Sequence, residues 1–275
     1  MAPADWNADE LPADPGVDAV SAAGTSDDNT AAAAIAAAER PALPRRLRLA
    51  SLLEVVACSG FPTQLVIAGA LSLSGVRPFD RAGHLSTAYV FTLSVADAVL
   101  LLALVAWFLR LRGESPREVL IGSRLPLREV LVGILHIPLV FLLVLVVMGL
   151  LRAFAPWTHN VPRNPMEGLI RTPLDAGMFV LVAIVGGGIR EEVQRAFILH
   201  RFDRDLGGGW LGLLLFSVVF GAGHVIQGWD VALTTATLGV FWGLVYLRRR
   251  SIVSTVVSHS GFNAAEIVRF AVVGQ

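Results

Sequence analysis

From residue 52 onward, seven long apolar runs divide the chain: 52–73, 87–109, 130–151, 174–202, 210–226, 231–247 and 252–273. Each is near the ~20 residues a helix needs to cross ~30 Å of hydrocarbon. Glycine, proline and asparagine punctuate the connections between them. The pattern predicts an all-α fold, a polytopic transmembrane helix bundle of about seven spans. The count shifts by one if 113–129 lies along the interface as an amphipathic helix. Residues 1–45 break the pattern, being rich in Ala, Asp, Pro and Ser with no aromatic beyond Trp6. That composition predicts a disordered tail, which leaves 46–275 as the membrane domain.

Composition agrees. The chain is 55% hydrophobic and 16% charged, against about 25% charged in soluble domains. A formal net charge of zero offers no global field to recruit nucleic acid. No aromatic-basic interleaving suggests base stacking either. Cys58 is the single cysteine, so no intrachain disulfide forms. No basic segment with a short apolar core opens the chain, so no signal peptide is expected and the first span directs insertion.

Arginine orients the bundle. The clusters at 45–48, 110–128, 201–204 and 248–250 fall on one side if seven spans alternate. The opposite connections carry only Arg77, Arg81, Arg152, Arg163 and Arg171. The positive-inside rule then puts the amino terminus in the cytoplasm and the bundle in the cell membrane. No inverted repeat marks a secondary transporter. The glycine triplets at 186–188 and 207–209 lack the context of a phosphate loop and suit close helix packing or a turn.

Chemistry concentrates in GGGIREEVQRAFILHRF, residues 186–202. Ionisable groups in a hydrocarbon-facing helix are costly unless paired or used, so the adjacent Glu191 and Glu192 mark a candidate site. On a helix they point about 100° apart. Arg195 stands at i+4 from Glu191, a spacing that predicts an ion pair between those two. In the fifth run the only ionisable side chain is His224, with Phe220 one turn earlier. In the seventh, His259 and Asn263 are i and i+4 and share a face. At ~1.5 Å per residue, Glu191, His224 and His259 lie ~13–21 Å from the cytoplasmic ends of their runs, so the three share one depth. Glu54, Asp97 and His136 are further polar residues within the apolar runs, read as internal pairs or as the lining of an access path. A structural reading competes throughout: the trio would be a polar packing network, or the ligand site of a transporter or scaffold.

An acidic pair with an arginine, then Phe-x-x-x-His, then His-x-x-x-Asn, in that order, resembles the CAAX-prenyl-protease and bacteriocin-processing family of intramembrane proteases. The matching residues are Glu191, Glu192 and Arg195, then Phe220 and His224, then His259 and Asn263. The resemblance covers about 174–270. One departure stands out. The family's first motif usually has three residues between the second glutamate and the arginine, where this chain has only Val193 and Gln194. Either the motif is one residue shorter here, or its register shifts and Arg190 takes the first place. The resemblance implies an endopeptidase, with Glu191 as general base, His224 polarising the water, and His259 and Asn263 donating to the oxyanion. Glu192 and Arg195 would orient these groups. No cofactor is required on that reading. A zinc-assisted version stays open, with Glu191, His224 and His259 as its ligands. The implied partners are the lipid bilayer and a protein or peptide substrate, prenylated or not, with no nucleic acid.

Overall fold

A computed structural model describes residues 44–79, 83–162 and 164–274. The tail expected over 1–45 lies outside them, apart from Pro44 and Arg45, which open the first helix. Among the described residues the fold is helical, with α1 Arg45–Ala57, α2 Phe61–Leu73, α3 Thr87–Leu111, α4 Pro116–Leu120 and α5 Pro126–Phe154. After a loop with two short 3-10 turns come α6 Pro173–Val182, a π-helical segment Ala183–Arg190, and α7 Glu191–Asp205. The chain closes with α8 Gly209–Ala222, α9 Trp229–Arg249 and α10 Val253–Val273.

The apolar runs are all helical, but they are not seven equal spans. Among the described residues four continuous helical stretches are long and apolar enough to cross a bilayer: Thr87–Leu111, Pro126–Phe154, Pro173–Asp205 and Trp229–Arg249. A fifth is obtained if α1 and α2, bent by 44°, count as one span. The first run is broken because Gly60 takes φ +89°, a region open chiefly to glycine. The fifth run is short: α8 stops at Ala222, and Gly223 closes it ahead of a 3-10 turn at Val225–Gln227. The 113–129 segment forms only the five-residue α4 before Pro126 starts α5.

Local sequence explains the helix starts that matter. Ser86 caps α3 by accepting from the Tyr89 amide. Thr172 and Asp175 form a reciprocal capping box at α6, with Pro173 at its first position. The long stretch α6–π–α7 lies at the centre. Its π segment packs on α3 and α10, and α7 packs on α8. The apolar core gathers Leu101, Val105 and Leu109 of α3, Val193 and Phe197 of α7, and Phe216 of α8.

The carboxyl-terminal half of α7 is fixed by charge. Arg201, fully buried, donates from Nε to Glu54 Oε2 at 2.6 Å and from Nη1 to Glu114 Oε2 at 2.5 Å. Arg112 reaches Glu54 at 2.8 Å, and Ser51 donates to Asp205 at 2.5 Å. Arg204 and His200 also contact Glu114. Glu54 and Asp97 are therefore internally paired, Asp97 with Arg190 and Thr63. His136 is not paired: its buried Nδ1 has no hydrogen-bond partner, and the ring meets Phe241 edge-on at 5.4 Å.

Burial by itself would raise the Glu114 carboxyl, but the hydrogen bonds from Arg201 and His200 outweigh it and hold the group below its ordinary 4.5. A depressed carboxyl stabilises the fold above its unfolded value and loses that contribution as pH falls through the folded one. The thermal midpoint in detergent is expected to drop as pH is lowered below about 4.5, and Glu114→Gln should lack that part of the acid response. Arg201→Met, which strands two carboxylates, should cost about 3–5 kcal/mol by the same unfolding measurement.

Candidate functional site

The glycine triplet sets the approach to the site. A π-helical turn is wider than an α-turn and recurs at functional sites. Here it brings Gly187 and Gly188 against α10. A Cβ on Gly187 would stand 2.5 Å from Asn263 Nδ2, and one on Gly188 would collide with the Ser260 hydroxyl. The packing role expected of the triplet is what the structure shows.

Immediately after this turn the two glutamates diverge. Glu192 is 1% exposed and points inward, while Glu191 is 21% exposed and lines a cavity of about 390 Å³. The ion pair expected between Glu191 and Arg195 does not form. Arg195 pairs instead with Glu192, one residue nearer at i+3. The reason is the surroundings of the guanidinium, which lies over the rings of Phe216, Phe220 and Trp242 at 5.1, 4.8 and 5.5 Å from their centroids. That aromatic cage is interior, so Arg195 takes the carboxylate that is interior too. In the structure Glu192 is the arginine's partner, and Glu191 faces the cavity.

His259 of α10 completes the buried chain. Its Nδ1 donates to Glu192 Oε1 at 2.8 Å, and its Nε2 lies 3.8 Å from Glu191 Oε2. The ring stacks on Trp242 at 3.9 Å between centroids and 18° between planes. Trp242 is itself held by a 2.9 Å bond from its indole N–H to the Ser258 hydroxyl. His224 lies just beyond α8, not within it. Its Nδ1 donates to the Phe220 carbonyl at 2.9 Å, which leaves Nε2 as an acceptor in the neutral ring.

Glu191, His224, His259 and Asn263 all line the one cavity, together with Phe220 and Trp242. Glu192 and Arg195 stand behind its wall. The expected site residues thus fall into a cavity-facing set and a supporting set. The expected zinc ligands Glu191, His224 and His259 share the wall, yet among the described residues no three His, Cys, Asp or Glu side chains converge closely enough to hold a metal ion.

Two contributors escaped the sequence reading. Trp242 sits between Phe241 and Gly243 in an apolar run, and a tryptophan there carries no chemical signal. The Arg190–Gln194–Cys58 link joins positions far apart in sequence: Arg190 donates to Gln194 at 3.0 Å, and Gln194 to the Cys58 carbonyl at 2.8 Å. At Gly60 a Cβ would collide with the Arg190 guanidinium, so the link depends on that glycine.

Residues 173–265 match the family model of type II CAAX prenyl endopeptidase, Rce1-like. The match runs from α6 into α10 and contains every cavity-facing polar group named above. It is consistent with the CAAX-prenyl-protease and bacteriocin-processing family that the three motifs resemble. No curated protein and no solved structure matches the chain.

Stability separates the two glutamates before any activity is measured. Glu192→Gln leaves the Arg195 charge buried without its counterion and should cost about 3–5 kcal/mol. Glu191→Gln, at a partly exposed position 3.8 Å from His259 Nε2, should stay within about 1 kcal/mol of wild type in the same unfolding experiment.

Proposed function

We propose, taking residues 173–265 as an Rce1-like protease segment, that this multi-pass membrane protein is an intramembrane endopeptidase of the CAAX-processing type. One observation carries the reading. Four polar side chains from three separate parts of the fold, Glu191, His224, His259 and Asn263, line a single cavity inside the matched segment.

The chemistry follows from what each group can donate or accept. A water held between the Glu191 carboxylate and His224 Nε2 loses a proton to Glu191 as its oxygen attacks the scissile carbonyl carbon. The carbonyl oxygen becomes an oxyanion, which Asn263 Nδ2 and His259 Nε2 stabilise by donation. Because Glu192 occupies Nδ1 of His259, that ring donates from Nε2 only when both nitrogens carry protons. The Glu192 carboxylate beside it compensates the resulting cation. Glu191 then returns its proton to the leaving amine nitrogen as the C–N bond breaks, giving a carboxylic acid and an amine. Arg195 acts through Glu192 as a positioning residue.

The substrate on this reading is a membrane-associated peptide or protein, with a prenylated carboxyl-terminal segment as the first class to try. Arginine distribution supports a cell-membrane location with the amino terminus cytoplasmic.

Cleavage of a farnesylated CAAX peptide by purified protein in detergent tests the proposal. Glu191→Gln and His224→Ala are expected to lose about 10²–10⁴ in kcat. Asn263→Ala should lose about 10²–10³, a donor's worth of ~3 kcal/mol. Each arm is repeated with a zinc chelator, and activity that survives chelation supports the metal-free route. Cleavage undiminished in Glu191→Gln would remove that residue from the reaction.

A further inference from the structure

Two cavities meet at the Glu191–His224 pair. The larger is the one described above. The second, of about 270 Å³, is walled by Ser59 and Gln64 at the α1–α2 break, by Arg190 and Gln194, and by Phe216 and Val219 of α8. Glu191, Phe220, His224 and Gln227 line both spaces. The carboxylate and imidazole assigned to the water therefore stand on a partition.

We propose that the second cavity is a water chamber, which stores water and delivers it to Glu191 and His224 through a space the peptide does not occupy. The inference rests on the protease reading. A hydrolase buried in a bilayer faces a conflict, since a peptide filling a single cavity would block the path of the water that must attack it. Two spaces meeting at the base remove the conflict.

The chamber's lining suits water rather than another ligand. An ordered water needs room and two to four polar partners, at ~30 Å³ each in the liquid. The volume holds several, and Ser59, Gln64, Arg190, Gln194, Glu191 and His224 supply the partners. An anion such as a peptide carboxylate is poorly matched. The Arg190 charge is already taken by Asp97 at 2.7 Å, and Glu191 adds a negative charge to the wall. The long apolar side chains of a lipid-modified peptide fit the larger cavity, where Val144, Met148, Phe179 and Leu238 contribute.

Thiol labelling of the full-length protein in nanodiscs tests this without relying on activity. In a Cys58→Ala background, Ser59→Cys is compared with Leu65→Cys, which is 74% exposed on the outer surface of α2. A charged, membrane-impermeant reagent attacks thiolates, which require water, so Ser59→Cys is expected to react at least ~10-fold faster than Leu65→Cys. A kinetic arm uses Ser59→Leu to fill the chamber. It should lower kcat by ~10-fold or more and leave KM within ~2-fold. Equal labelling of the two cysteines would overturn the proposal, as would a raised KM with kcat unchanged, which assigns the space to the peptide. If wild type hydrolyses no peptide, the protease reading fails, and the labelling result still decides whether the chamber holds water.

Discussion

The site depends on one buried charge chain, Arg195 to Glu192 to His259. A carboxylate 1% exposed in a membrane-embedded helix persists only where its desolvation is offset by a partner in good geometry. Arg195 supplies that partner, and the three rings around the guanidinium return part of what it loses by leaving water. The carboxylate in turn fixes which nitrogen of His259 faces the cavity, while the Trp242 stack fixes the plane of the ring. Glu191 is thereby freed of structural duty. Of two neighbouring glutamates, one is committed to holding the wall and the other is left on its surface.

A second set of ion pairs does for the carboxyl-terminal half of α7 what the first does for the site. Glu192, Arg195, Arg201 and Asp205 are all buried along one fifteen-residue helix. Arg195 and Glu192 pair with each other along the helix, and Glu192 also reaches α10 through His259. Arg201 reaches α1 through Glu54 and the α3–α4 connection through Glu114, and Asp205 reaches α1 through Ser51. A helix this charged would be a poor membrane span if it faced lipid. It tolerates the charge because α1, α3, α8 and α9 enclose it, and those helices carry exposed leucines and valines on their outer faces.

Much of this was legible in the sequence. The helices follow the apolar runs closely, and the three motifs identify the residues that meet at the cavity, because those motifs are built from the rare polar groups a bilayer permits only at a price. What was not legible depends on contacts across the fold. The spacing of Glu191 and Arg195 fits an ion pair as well as that of Glu192 does, and only the position of Phe216, Phe220 and Trp242 decides between them. The break at Gly60 interrupts a run that hydropathy alone reads as continuous. His224 looks helical by its neighbours' hydropathy, yet the glycines at 221 and 223 end α8 before it. Trp242 was silent because stacking leaves no trace in spacing.

The brevity of α8 has a consequence for the lipid around it. Fourteen residues rise ~21 Å, well short of the ~30 Å hydrocarbon thickness. Such hydrophobic mismatch is relieved by thinning the bilayer locally, at a fraction of a kcal/mol per ångström. Headgroups would dip toward the end of α8, where Gly223 and His224 stand. Where the bilayer thins beside α8 it dimples toward the site, and the thickness of the host bilayer then sets how deep the chemistry lies.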